Sequence, residues 1–168
     1  MTNLPVWLLD VDGVINVDRT DAWEGSHQEA VVHGFRLRWA PALIDQIRLL
    51  HTSKLAEVKW CTTWCGLHSE LEQLWQLPKF EPTFIIDSSA RIAGEMKLEA
   101  ARRVLAEQRP LIWTDDMEVP TRRSALGREL HAAGRTLLIR PHWASGLSPA
   151  DLERITNFCR EHTLQPVD

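Results

Sequence analysis

Acidic residues follow two apolar runs in this chain. Asp10 and Asp12 close Trp7-Leu8-Leu9-Asp10-Val11-Asp12-Gly13, and Asp115 and Asp116 close Leu111-Ile112-Trp113-Thr114-Asp115-Asp116. A third run, Val58-Lys59-Trp60-Cys61, ends in Thr62 and Thr63, and Lys97 lies between the second and third runs in chain order. Carboxylates gathered in one place repel one another, and a bound cation relieves that repulsion. All-oxygen ligands suit Mg²⁺, which takes one or two carboxylates and a phosphate oxygen and keeps several waters. Such parts can do phosphoryl chemistry. One carboxylate can attack phosphorus, and a second can protonate the leaving oxygen and then deprotonate water. A hydroxyl and an ammonium can hold the phosphoryl oxygens while a metal neutralises developing charge. Gly13 allows a sharp turn directly after the first acids.

Elements must bring these residues together. Residues 6–9 read as a buried strand. Residues 31–39 alternate (Val31, His33, Phe35, Leu37, Trp39) and read as one exposed strand, with residues 14–18 as the other arm of a hairpin. Pro41 suits a first helical turn, and Leu43, Ile44, Ile47 and Leu50 follow at helical spacing. A strand over 57–62, a helix over 68–77 stopped by Pro78, a strand over 83–86 and a helix over 97–108 opened by Lys97 come next. Then follow a strand over 111–114, a helix over 121–133 with Gly134 as its C-terminal cap, a strand over 136–139, and a last helix to about residue 161 with Ser148 as N-cap and Pro149 next. Alternating strands and helices predict a single α/β domain over residues 1–168, with a mostly parallel, Rossmann-like sheet in a three-layer α/β/α arrangement. A small β-hairpin flap over about residues 14–39 follows the first strand. In such folds ligands bind beyond the carboxyl ends of the strands, where the acids sit.

The totals agree with an ordinary globular domain: 168 residues, 44% hydrophobic and 25% charged. The net charge of −4 gives no global attraction to nucleic acid or anionic membranes, although a local basic patch needs no such balance. No apolar run is long enough to span a membrane and no signal-peptide pattern opens the chain, so a cytoplasmic location is expected. The odd set Cys61, Cys65 and Cys159 argues against a disulfide framework, and Cys61 and Cys65 lack a second ligand pair for zinc.

The four motifs together resemble the haloacid dehalogenase-like superfamily of phosphohydrolases, in its capless or minimal-cap form. The family pattern is an apolar strand with Asp-x-Asp-Gly, a strand ending in Thr or Ser, a Lys, and a strand ending in paired acids, and all four occur here in that order. The resemblance implies that Asp10 is the nucleophile and Asp12 the general acid/base. It implies that Thr62, with Thr63 beside it, and Lys97 hold the phosphoryl group. It also implies that Asp10, the backbone carbonyl of Asp12, and one of Asp115 or Asp116 ligate Mg²⁺. A calcium-loop reading of the first motif fails, because its glycine is in the fourth position rather than the sixth. For Thr62, a helix N-cap competes with phosphate binding. For the lysine, Lys54, Lys59 and Lys79 remain open alternatives.

Asp12 favours phosphoester hydrolysis over dehalogenation, since only the ester needs a leaving-group acid. The segments between Gly13 and Trp60 and between Thr62 and Lys97 leave no room for a large cap. The expected substrate is therefore a macromolecular phosphate, such as a protein or nucleic-acid end, or a small phosphate roofed by a homo-oligomer partner. Trp23, Glu24, His27, His33 and Trp39 of the flap could touch it or serve packing and solvation alone. Arg91, Arg122 and Arg123 suit a solvated helix face better than phosphate binding, and His51, His68, His131, His142 and His162 show no ligand spacing. Two rival readings are a non-catalytic phospho-ligand binder or regulatory protein on the same fold, which has no need of Asp12, and a phosphotransferase, which must exclude water.

Overall fold

The computed structural model describes residues 4–85 and 90–163. Its centre is a five-stranded parallel sheet. Strand β1 (Val6–Leu9) lies between β4 (Glu57–Trp60) and β6 (Leu111–Thr114), and the short β5 (Glu81–Pro82) and β7 (Thr136–Ile139) form the two edges. Leu9 pairs in register with both Trp60 and Thr114. The residues that follow, Asp10, Cys61 and Asp115, therefore leave the sheet at one level.

Strands β1 and β6 are buried along their whole length, as strands covered on both faces are, whereas β4 carries Glu57 and Lys59 on one face. Val6, Leu8, Leu111 and Trp113 pack with Ala101 and Val104 of α3 (Ala90–Ala106). Trp7, Leu9, Val58, Trp60 and Ile112 face the opposite cluster, with Leu43 and Ile47 of α1 (Pro41–Thr52) and Ile155 of α5 (Pro149–Thr163). In α5, Ser148 Oγ accepts from the Asp151 amide, and the Asp151 carboxylate accepts from the Ser148 amide. This reciprocal pair satisfies the free donors of the first turn.

Several boundaries differ from expectation. Residues 31–39 are two strands rather than one: β2 (Gln28–Val32) and β3 (Phe35–Trp39) pair antiparallel across a two-residue turn. His33 and Gly34 both have positive φ (49° and 79°), the twist that a two-residue hairpin turn requires. The alternation survives because that turn leaves the side-chain period unbroken in the sequence. Residues 14–18 are no strand at all. The Val11 carbonyl accepts from the amides of Val14, Ile15 and Asn16, which curls this segment into a tight turn.

Helix α3 begins at Ala90, so Lys97 lies well inside it rather than at its start. Gly94, a poor helix former, hides that earlier start in the sequence. It marks a close approach, since a Cβ there would come within 2.6 Å of the Glu118 carboxylate. The helix expected over 121–133 shortens to α4 (Ala125–His131), because Ser124 takes the N-cap and its Oγ accepts from the Gly127 amide at 2.9 Å. Gly134 lies in the turn beyond α4, with a φ of +70°. A 3₁₀ turn (Thr63–Gly66) follows β4, where no sequence pattern marks it. Helix α2 (His68–Trp75) ends at Gln76, whose left-handed backbone stops it before Pro78. The strand expected over 83–86 is β5 at Glu81–Pro82; Ile86 lies outside the described residues.

Glu72 of α2 is a buried acid with a packing role. Its Oε1 accepts from the Trp60 indole at 2.9 Å and from the Phe80 amide at 2.8 Å. Glu72→Leu would leave both buried donors without a partner. The expected loss is about 3 kcal/mol, read from chemical denaturation, with the sheet intact.

Candidate active site

The strand ends deliver a buried ionic cluster. Lys97 Nζ donates to Asp10 Oδ2 at 2.8 Å and to Asp115 Oδ2 at 2.6 Å. All three residues are buried. The Val11 amide donates to Asp10 Oδ1 at 2.8 Å. Asp115 Oδ1 accepts from the amides of Met117 and Glu118 at 2.9 and 2.7 Å, so both of its oxygens are engaged by the protein. Among the four lysines considered, Lys97 is the one that reaches the acids; Lys59 pairs instead with Glu57 and Glu81.

Asp12 is exposed and held differently. The Asn16 amide donates to its Oδ1 at 2.8 Å, and the Trp64 indole donates to its Oδ2 at 2.9 Å. Asn16 Oδ1 in turn accepts from the Arg38 amide at 2.9 Å, which ties the hairpin to the turn after β1. Gly13, at a φ of +68°, lies against Asp116. A Cβ there would come within 2.4 Å of the Asp116 carboxyl carbon, so this position is closed to any side chain.

One oxygen from each of Asp10, Asp115 and Asp116 lies within 4.8 Å of the others. Burial, and after it the Asp115 charge, push the Asp10 carboxyl up to about 8 against the opposing pull of Lys97. Burial and Asp115 also raise Asp116. One ammonium is thus too little positive charge for three acids. Their oxygen-only donor set and their repulsion fit a hard divalent cation such as Mg²⁺. Asp116, whose carboxylate accepts from no other residue among those described, has the freer oxygens of the pair.

These groups open on a cavity of about 570 Å³ lined by Asp10, Asp12, Thr63, Lys97, Asp115 and Asp116, with Asn16, Arg36, Arg38 and Trp143 at its sides. The two threonines separate. Thr63 faces the cavity, whereas Thr62 is fully buried and its Oγ1 accepts from the Trp64 amide at 3.3 Å as cap of the 3₁₀ turn.

Trp23, Glu24, His27, His33 and Trp39 do not line this cavity. Trp23 donates its indole N–H to the Leu147 carbonyl, and Trp39 packs edge-on against Trp75. His27 pairs with Glu29, and His33 joins the hairpin turn to Glu70 of α2 at 2.7 Å. From the β2–β3 hairpin, Arg36 and Arg38 line the cavity, and Asn16, Val17 and Asp18 of the preceding segment line it too. The two arginines alternate with buried Leu37 and Trp39, and that period of two was their signal in the sequence. Glu29 pairs with both and is lowered to about 2 by them. Trp143 on the far rim, 58% exposed, carried no recognisable sequence signal.

Elsewhere Arg122 lies by a separate surface cleft away from this site, and the Arg91 side chain lies outside the described set. The three cysteines are free and buried, and burial pushes each thiol up, Cys159 to about 12. No helix among the described residues is long and apolar enough to cross a membrane. No family model matches the chain, and no curated protein matches it either.

Proposed function

We propose that this protein is a Mg²⁺-dependent phosphatase of the haloacid dehalogenase-like kind, acting on phosphomonoesters through an aspartyl-phosphate on Asp10. The observation that carries this reading is the facing of Asp10 and Asp12 into one cavity, with Lys97 and the Asp115–Asp116 pair against Asp10. A phospho-ligand binder has no use for a second, separately held carboxylate beside the first. The proposal extends to the finer fold: helices on both faces of the sheet as three layers, and the β2–β3 hairpin as a flap beside the site.

In the first step the Asp10 carboxylate bonds to phosphorus as the bond from phosphorus to the ester oxygen breaks, and Asp12 gives its proton to the departing alcohol. In the second step Asp12 takes a proton from water, the water oxygen bonds to phosphorus, and the Asp10–phosphorus bond breaks to release phosphate. Asn16 and the Trp64 indole fix the direction of Asp12 through both steps. Thr63, at the cavity wall, is placed to donate to a phosphoryl oxygen. Lys97 keeps Asp10 and Asp115 together against their repulsion. Asp10, Asp116 and the Asp12 carbonyl would hold a Mg²⁺ ion, which would supply charge neutralisation on the phosphoryl group. A site without a large cap suits a phosphate carried on a macromolecule or one covered by a second copy of the chain; a cytoplasmic setting accords with free Mg²⁺ and reduced thiols.

A panel of phosphomonoesters with and without Mg²⁺, followed by phosphate release, tests the proposal. Turnover that requires Mg²⁺ and stops with chelator is expected. A folded protein that hydrolyses no member of the panel would overturn it in favour of a binding role.

A further inference from the structure

A smaller cavity of about 220 Å³ adjoins the first. Phe35, Trp64 and Leu67 form its apolar walls, and Asn16, Arg36 and Thr63 lie at its sides. Asp12 lines both cavities, so the two meet at that carboxylate. Phe35 opens strand β3 and is 60% exposed, an uncommon position for so apolar a ring. Its ring stands edge-on to Trp64, with centroids 5.5 Å apart and planes at 72°. The same indole donates to Asp12 Oδ2.

We infer that this smaller cavity receives the leaving group and selects phosphomonoesters whose alcohol is a flat aromatic ring. The inference rests on the phosphatase reading above. If Asp12 protonates the departing oxygen, that oxygen lies within hydrogen-bond reach of its carboxylate. Asp10 and the acids that would hold the metal occupy the larger cavity, so the carbon frame attached to the oxygen falls on the other side of Asp12, into the smaller one. Two aromatic rings at a steep angle offer a face and an edge to a third ring. The Arg36 guanidinium at the side can lie over that ring's face. A polyol would set part of its hydroxyls against the apolar Phe35 and Leu67, although Asn16, Arg36 and Thr63 can meet others, so the cavity's preference rests on its aromatic wall.

The test compares Phe35→Ala with the wild type on 1-naphthyl phosphate and glycerol 3-phosphate, both with Mg²⁺. Phe35 is outside the proposed catalytic machinery, and its exposure lets the variant fold. The value of kcat/KM for 1-naphthyl phosphate is expected to fall about tenfold, through KM, while that for glycerol 3-phosphate changes less than about twofold. Phe35→Trp, which keeps an aromatic wall, is expected to restore the aryl substrate. Equal effects on the two substrates, or no effect on either, would overturn the subsite and leave the phosphatase reading standing. Failure of the wild type on both substrates and on the wider panel would instead remove the phosphatase reading and the subsite with it.

Discussion

Asp10→Asn is expected to reduce phosphate release by at least about 10³-fold without loss of fold. The amide keeps the shape of the carboxylate and its oxygen can still accept from Lys97, as Asp10 Oδ2 does at 2.8 Å, while its NH2 takes the place of the oxygen that accepts from the Val11 amide. It is a far weaker nucleophile, so no phospho-enzyme forms. Stability should move the other way. Burial and Asp115 hold Asp10 well above the usual carboxylate range, so its negative charge is a burden on the metal-free fold. Removing that charge is expected to outweigh the loss of the Val11 hydrogen bond and to leave the melting temperature of the metal-free protein unchanged or higher. Phosphate release and thermal unfolding on the same preparation separate the two effects. Turnover surviving in the variant would sink the covalent mechanism. Lost turnover accompanied by a collapsed melting temperature would make Asp10 a structural residue.

Lys97→Met is expected to do the opposite to stability. Lys97 is buried between Asp10 and Asp115, and these two carboxylates have no other ammonium or guanidinium partner among the described residues. A methionine fills the space but leaves two buried acids facing each other. Removing one partner of a buried ion pair costs about 3–5 kcal/mol, because the remaining charge keeps its desolvation penalty. In a domain of this size that lowers the melting temperature by roughly 10 °C. Adding Asp115→Asn to Lys97→Met removes one of the stranded charges and should restore part of the loss. Calorimetry of the two variants checks both statements. A Lys97→Met protein as stable as the wild type would mean that the acids find another counter-charge, and the cluster would need a different account.

The acids were legible in the sequence because each lies directly after an apolar run, and parallel strands in register must end together. The pairing of Leu9 with Trp60 and Thr114 brings Asp10 and Asp115 to one level, so chain order alone predicted their meeting. The helix faces were equally legible, since Leu43, Ile44, Ile47 and Leu50 repeat at the helical period and are all buried. Lys97 was legible as a candidate and no more. Its place inside α3, on the side that reaches the acids, depends on how the helix crosses the sheet.

The hairpin is hidden in the sequence for a reason of geometry. Periodicity of two passes through a two-residue turn unchanged, so residues 31–39 look like one strand until the positive φ of His33 and Gly34 folds them back. The same folding turns Arg36 and Arg38 toward the cavity and places Phe35 against Trp64. The threonine assignment split on a single hydrogen bond, which draws the Thr62 hydroxyl to the cap of the 3₁₀ turn and leaves Thr63 facing the cavity.

By itself, then, Asp10-Val11-Asp12-Gly13 and its companion strands determined which acids gather and that the sheet is parallel, because strand ends and burial are properties of neighbouring residues. Only the tertiary structure decided which ammonium balances them, which donors hold Asp12, and what surrounds the leaving side of the site. Those contacts join residues as far apart as Lys97 and Asp10 or Trp64 and Asp12, and no local pattern records how side chains from separate elements meet.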